Sequence, residues 1–533
     1  MKLERVHLRN YRCFDDFLLE VGGGSLLVIG PNAGGKTSLV TAIRRALNGG
    51  GIDARDLRDR GAPAELIATV SGIPAAAQGD FADAVDITTN PPTVRVGLRA
   101  SWNSEEERLD VVHGFPDVGW RPVRRAAREH LPVLWLPAWR DARRLAAMVG
   151  RESLLQELVG DLDLGQPLQD AITAITSASD TLAQAQPLQD LLGELRDELA
   201  RLMPRVDPSA FALGVDIAQP EDILGQLALM VSHLGPQMPI PTHSGGVAQA
   251  AILVLALRLL DVNPGALLLV DEPELALHAQ AQRAVVRALR DTARQSILTT
   301  HTAAILDRVD PTDVTRLRRS ATGDTEAVRA TGLTLAQARK LTRYATSLSA
   351  EAYFAETVLL VEGFSDLLAV RVLAAKLGVD LDAAGVSVIS LEGGDVFPHY
   401  VALLGPQGLK VELRGLCDAD KAQRWITHLR QAGLPVTDRP SMAAAGFYVC
   451  DPDLEEELVA PLTTAEIEAV FSADGALGDF QVFGAQPQYA GMTATQLQVA
   501  FTKVDKIRWA PLLADALTPG GIPQPIRDLL ANV

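Results

Sequence analysis

Residues 30–37 read Gly-Pro-Asn-Ala-Gly-Gly-Lys-Thr, which fits the spacing G-x-x-x-x-G-K-[ST] in full. In such a loop successive backbone N–H groups wrap a chain of phosphates, and the next helix turns its positive end toward them. Lys36 would reach the β- and γ-phosphates and the Thr37 hydroxyl would ligate Mg2+, with Asn32, Gly35 and Ser38 around the same anion. Much later, residues 267–272 read Leu-Leu-Leu-Val-Asp-Glu. An apolar strand ending in two carboxylates supplies a magnesium-directed acid, Asp271, and a water-activating acid, Glu272. Together these residues are suited to binding and hydrolysing ATP.

A second chemistry lies in the last third of the chain. Glu362 and Asp366 stand in Val-Glu-Gly-Phe-Ser-Asp, and Asp418 and Asp420 in Cys-Asp-Ala-Asp. Carboxylates at the ends of parallel strands make an all-oxygen site, which suits Mg2+ or Mn2+ rather than zinc. Two such ions can activate an attacking oxygen and stabilise the leaving oxygen of a phosphodiester. Helix starts also collect Asp and Glu without any ligand, so the acidic pairs need elements that gather them.

Those elements follow from the pattern. The apolar run 26–29 is a short buried strand feeding Gly30, and 37–47 reads as the helix a phosphate loop requires. Runs at 66–70, 93–100 and 108–112, separated by Pro, Gly and Asn, predict a small antiparallel sheet. Residues 249–260 read as helix, and 266–270 and 296–300 as all-apolar strands of a parallel sheet with chemistry at their C-terminal ends. Residues 322–348 read as a surface connector with helix. A second alternation begins at 357: strand 357–361, helix 365–376, strand 386–390, helix 395–404, then strands 409–417 and 446–450. Between the halves, 152–231 is helical, and Leu188, Leu192, Leu195, Leu199 and Leu202 follow 4-3-4-3 spacing. That seam fits either a helical hairpin packed on its own domain or a dimerisation arm.

Bulk composition narrows the class. A chain of 533 residues with 47% hydrophobic and 22% charged content predicts a multidomain soluble protein. Three scattered cysteines fit a reducing cytosol, and the apolar run 251–260 is expected to be too short to cross a bilayer. The alternating N-terminus lacks the apolar core of a signal peptide, so a cytoplasmic protein without a membrane partner is expected. A net charge of −17 argues against coating DNA by bulk electrostatics. Local basic runs remain candidate footprints: Arg121, Arg124, Arg125 and Arg128; Arg140, Arg143 and Arg144; and Arg316, Arg318 and Arg319. Such runs are commonly solvated helix faces.

The front of the chain resembles the ATPase heads of the ABC class, as in SMC, Rad and RecF-like proteins. The resemblance is carried by Ser244-Gly245-Gly246 with Gln249 following, by His301 after Ile-Leu-Thr-Thr, and by 10–14, Asn-Tyr-Arg-Cys-Phe. It implies that Ser244, Gly245 and Gly246 contact nucleotide across a dimer and that His301 senses the γ-phosphate. His243 stands where Leu is usual. The back is similar to the Toprim domain, on Glu362-Gly363, then Gly393-Gly394, then Asp418-x-Asp420. Asp451-Pro452-Asp453-Leu454-Glu455 is similar to the acidic motif of one Toprim group, the OLD (overcoming lysogenization defect) family nucleases. That family's site is completed by a lysine near the C-terminus; Lys506 fits best, with Lys503 as the alternative.

The combined resemblance implies an α/β fold: an ABC-type P-loop ATPase head with a helical dimerisation insert, followed by a smaller Toprim domain. The expected division is 1–150 and 236–349 for the ATPase, 151–235 for the insert and 350–533 for the Toprim domain. It implies a homodimeric, ATP-regulated, metal-dependent DNA endonuclease in phage defence, as in Gabija, or in DNA repair, and leaves a helicase partner open. Glu362 would act at the metal site with Asp366, Asp418, Asp420, Asp453 and Glu455 as ligands, and Lys506 would neutralise charge on the scissile phosphate. The alternative is a non-catalytic ATP-dependent DNA-binding clamp or sensor whose Toprim domain only binds nucleic acid or a partner. A topoisomerase or primase is disfavoured, because no segment stands out as carrying an active-site tyrosine and no zinc-ribbon cysteine set is present.

Overall fold

A computed structural model describes residues 1–22, 24–146, 153–159, 164–193, 229–231, 238–306, 309–320, 322–330, 333, 350–392, 396–531 and 533. The chain divides into two compact units, Met1–Trp135 with Ala266–Glu274 and Ala279–Val533, and Leu136–Gly265 with Leu275–His278. The phosphate loop, Asp271, Glu272, His301 and the residues expected to bind metal fall in the first unit, whereas Ser244, Gly245 and Gly246 fall in the second.

In the first unit the N-terminal alternation becomes a strand, Lys2–Tyr11, with Leu3, Val6 and Leu8 buried and Arg5 and Arg9 exposed. It pairs antiparallel with Phe14–Glu20 on one side and Ala64–Ser71 on the other, and the sheet continues through Thr93–Asn103 and Arg108–Phe115. The helix Lys36–Asn48 lays Leu39, Val40, Ile43 and Leu47 into the core this sheet shares with Val28, Leu267 and Ile297.

A second sheet has the order Thr325–Arg329, Val314–Arg319, Leu26–Ile29, Gln295–Thr299, Leu267–Val270, Val133–Leu136. Leu26–Ile29 is fully buried and runs parallel to both Gln295–Thr299 and Val314–Arg319. All-apolar strands suit this position, where both faces are covered. The stretch expected to be a helical connector contributes Thr325–Arg329, which pairs antiparallel with Val314–Arg319. Its two charged residues, Glu326 and Arg329, stand three apart and its burial does not alternate, so this short edge strand carries no period-2 signal to separate it from a polar connector.

The C-terminal sheet has four strands in the order Val386–Ser390, Thr357–Val361, Glu412–Asp418, Phe447–Cys450, all parallel. Helix Phe364–Lys376 packs against Lys506–Ala516, and the core around them continues into Phe471, Phe480, Phe501 and Trp509. That helical layer brings the chain's last lysines back to the sheet.

In the other unit the described helices include Leu154–Val159, Gly165–Ala183 and Gly245–Val262. Leu195, Leu199 and Leu202 of the leucine seam lie outside the described residues. The helix around the 251–260 run extends over 18 residues with a mean hydropathy of 1.7, long and apolar enough by itself to span a bilayer, against the expectation from the shorter run. Its Ile252, Leu253, Ala256 and Leu259 are buried within the protein.

Candidate ATP and metal sites

The phosphate loop joins Leu26–Ile29 to Lys36–Asn48. Gly30 has φ +151°, and a Cβ there would stand 2.5 Å from the Leu317 carbonyl oxygen; Gly35 has φ +98° and would meet Cys13 Sγ at 2.6 Å. Only glycine satisfies both the dihedrals and the close approach. Lys36 is 4% exposed, and its ammonium donates to the carbonyls of Gly30 (2.8 Å) and Pro31 (2.9 Å). Burial pulls this lysine down to about 8, opposed by the charges of Glu272, Asp271 and Glu274. Thr37 and Ser38 lie in the first turn of the helix, where Ser38 Oγ accepts from Arg12 at 3.2 Å. Asn32 is exposed on the loop.

Asp271 and Glu272 follow the buried strand Leu267–Val270. Thr299 Oγ1 donates to Asp271, and the Glu272 N–H donates to Thr299 Oγ1 at 3.1 Å. Glu272 sits at φ +49°, a left-handed backbone that a non-glycine residue adopts only when its surroundings enforce it. His301 Nε2 lies 3.1 Å from Glu272 Oε1. Burial, and then Lys36, hold the His301 imidazole below its usual range, which favours the neutral ring.

Glu274, two residues beyond the acidic pair, was not singled out in the sequence. It is 9% exposed and accepts from Thr300 Oγ1 (2.7 Å) and the His301 N–H (2.8 Å). Its carboxyl is raised chiefly by burial. It holds the backbone that presents His301, and the pattern Asp-Glu-Pro-Glu followed by Thr-Thr-His is the signal that could have found it.

In the other unit Ser244 precedes the helix Gly245–Val262, so Gly245 and Gly246 form its first turn. Gln249 is 8% exposed and exchanges two hydrogen bonds with Arg140, each 3.1 Å. Arg140 is thus a buried partner of Gln249 rather than part of a basic surface run. The same correction applies to Arg316, which is 3% exposed. A sequence pattern does not distinguish a buried arginine with polar acceptors from a solvated one.

At the C-terminal ends of Thr357–Val361 and Glu412–Asp418, single carboxylate oxygens of Glu362, Asp418 and Asp420 lie within 4.8 Å of one another. Val361 and Leu416 are register partners, which brings the next residues of both strands to one edge. Glu362 Oε1 accepts the Asp418 N–H at 2.8 Å. Asp418 is pushed up to about 7, by burial first and then by Glu362, Asp366 and Glu455, with Lys506 opposing. Lys421, also missed in the sequence, forms an ion pair with Asp420.

Beside this group stands a second one. Asp366 Oδ2 accepts the Gly363 N–H at 2.9 Å, and burial, followed by the like charge of Glu455, raises its carboxyl. Glu455 is 2% exposed; Lys506 Nζ lies 2.9 Å from its Oε2, and its Oε1 has no hydrogen-bond partner among the described residues. Asp453 caps the helix Leu454–Val459 through the Glu456 N–H and is paired with Lys503 at 2.5 Å. Lys506, not Lys503, therefore faces the acids around Asp418. Gly393 and Gly394 lie outside the described residues.

The donor set fits divalent metal. Burial, and then the charges of Glu362, Asp366 and Glu455, raise Asp418 to about 7, and the gathered oxygens of Glu362, Asp418 and Asp420 form an all-oxygen set that suits Mg2+ or Mn2+. Glu455 adds a buried carboxylate oxygen with an open lone pair.

Residues 26–307 match the family described as AAA domain, putative AbiEii toxin, Type IV TA system. Residues 353–420 match the overcoming lysogenization defect protein-like TOPRIM domain. The chain is 28% identical over 420 residues to a protein named OLD nuclease from Thermus scotoductus, covering 73% of this chain and 77% of that one. Among solved structures it is similar to the C-terminal region of the Burkholderia pseudomallei OLD protein, with 26% identity, a TM-score of 0.28, and coverage of 34% of this chain and 96% of that one. It is also similar to an SMC head bound to the C-winged helix domain of ScpA, with 16% identity, a TM-score of 0.40, and coverage of 62% and 98%.

Proposed function

Because the chain belongs to the AAA-domain family matched over 26–307 and joins to it an OLD-like TOPRIM domain, we propose that it is an ATP-regulated, Mg2+- or Mn2+-dependent DNA endonuclease. The observation that carries this reading is the convergence of Glu362, Asp418 and Asp420, with the Glu455–Lys506 pair beside them. A soluble, cytoplasmic homodimer acting in phage defence or DNA repair is part of the same proposal, and a helicase partner would extend it.

Bound at Glu362, Asp418 and Asp420, with Asp366 and Glu455 adjoining, the metal would supply Lewis-acid activation of the attacking and leaving oxygens of a phosphodiester. The protein's own part is positional and electrostatic. The Asp418 N–H holds Glu362 in place, and Gly363 holds Asp366. Lys506 brings a fixed positive charge beside the acids, suited to the charge that grows on a scissile phosphate. In the ATPase half, Lys36 and Thr37 would hold the triphosphate and its Mg2+ together with Asp271. Glu272 would orient the attacking water, and His301, beside it, would register the γ-phosphate.

Supercoiled plasmid incubated with Mg2+ or Mn2+, with and without ATP, tests the reading. Wild type should nick or linearise the DNA, and Asp418→Asn should lose at least about 100-fold of that rate, the scale of removing an electrostatic catalytic group. Intact plasmid under every metal condition, or equal rates in both proteins, would sink it and favour a non-catalytic DNA-binding role.

A further inference from the structure

We propose that Arg316 is the positioning residue through which nucleotide binding at the phosphate loop reaches the Toprim carboxylates. The inference rests on the assignment of the two sites above and adds the route between them.

Arg316 belongs to the strand Val314–Arg319, where it is the register partner of Ile29, the residue immediately before Gly30. Its side chain leaves the ATPase sheet for the Toprim domain. The buried guanidinium donates to the backbone carbonyls of Ala355 at 2.8 Å and of Leu409 and Lys410 at 3.4 Å each. Two residues after Ala355 begins Thr357–Val361, which ends against Glu362; two residues after Lys410 begins Glu412–Asp418, which ends in Asp418. One side chain thus grips the starts of the two central strands whose far ends carry the metal ligands. At ~3.3 Å per residue the grip acts from roughly 20–30 Å away.

The other end of the route is the loop itself. Lys36 holds the carbonyls of Gly30 and Pro31. A triphosphate draws that ammonium to itself and releases them. Gly30 packs closely on the neighbouring strand, where an added Cβ would lie 2.5 Å from the Leu317 carbonyl oxygen, so a backbone shift toward that strand presses on it. Leu317 is the next residue after Arg316. Displacement at residues 30–31 is therefore delivered to the strand that carries the arginine.

The joint has the looseness a switch needs. The Leu409 and Lys410 contacts are at the long limit of a hydrogen bond, so the guanidinium can trade one carbonyl for the other at little cost. Arg316 Nε has no hydrogen-bond partner among the described residues. Lys410 sits at φ +52°, a strained backbone for a lysine. The same joint borders a cavity of about 470 Å3 lined by 31–34, Arg318, Arg319 and Lys410, which leaves the loop space to shift.

Hydrogen–deuterium exchange on the full chain, with and without a non-hydrolysable ATP analogue and Mg2+, tests the route without needing cleavage. In wild type the analogue should change exchange rates at least about threefold both in 30–40 and in 355–362 and 409–418. In Arg316→Met the change in 30–40 should persist while that in the Toprim strands falls below about 1.5-fold, with partial recovery in Arg316→Lys. Arg319→Gln, an exposed residue of the same cavity, should behave as wild type. The proposal is overturned if Arg316→Met keeps the Toprim change, or if wild type shows none there while its loop responds. Should Arg316→Met fail to fold, an undiminished Toprim response in Arg316→Lys overturns it and a response at least halved supports it. Plasmid cleavage by the same wild-type sample reports separately on the nuclease reading, so failure of one does not mask failure of the other.

Discussion

Single residues decide which charges each site can hold. Lys36 titrates at about 8 because it is buried, while its ordinary range lies above 10. Nucleotide phosphates require its protonated form, so ATP affinity should be flat below pH 8 and fall by up to about tenfold per unit above it. Titration of a fluorescent ATP analogue between pH 7 and 9.5 measures this; the substitution Lys36→Arg should flatten the slope, and an unchanged slope would assign the titration elsewhere. The two C-terminal lysines should separate in the same way. Lys506 pairs with Glu455, whereas Lys503 is held by Asp453 and Glu456. Lys506→Met should lower plasmid cleavage by about 100-fold or more with ATP hydrolysis intact, and Lys503→Met by less than about tenfold. Equal losses would remove the distinction.

Elements bring those residues to their places, and the strand Glu412–Asp418 is closely packed on both sides. Gly415 lies at its centre, where a Cβ would stand 2.8 Å from the Leu360 carbonyl oxygen, 2.8 Å from Trp425 and 2.9 Å from Phe447. Trp425 stacks on Phe397 at 3.9 Å between ring centroids, so neither ring can retreat easily. Gly415→Ala should therefore destabilise the domain by about 1–3 kcal/mol, the usual penalty of overpacking, and displace Asp418 at the strand end. Denaturant unfolding followed by tryptophan fluorescence measures it; a change under about 0.5 kcal/mol would show that the sheet yields instead. The strands themselves were readable in advance, because buried parallel strands are short apolar runs bounded by turn residues. Thr325–Arg329 was not, since a five-residue edge strand with two charged residues and no alternating burial looks like a polar connector.

At the scale of the whole molecule, two sites with no residue in common share one compact unit. They should fail separately. Asp418→Asn should retain ATP hydrolysis within about twofold, and Lys36→Ala should retain metal-dependent cleavage in the absence of ATP within about threefold, each difference being under about 1 kcal/mol of transition-state stabilisation. Loss of both activities in either variant, with the protein still folded by circular dichroism, would mean that the sites are one machine rather than two coupled ones. The sequence by itself determined the phosphate loop, the acid-tipped strands and the order of the elements, because hydrophobic period and glycine placement are local properties of a chain. Only the tertiary structure decided that Arg140 and Arg316 are buried, that Glu274 presents His301, and that Lys506 pairs with Glu455 while Lys503 pairs with Asp453. Those facts depend on which side chains are packed together from positions tens to hundreds of residues apart, and no local spacing records that.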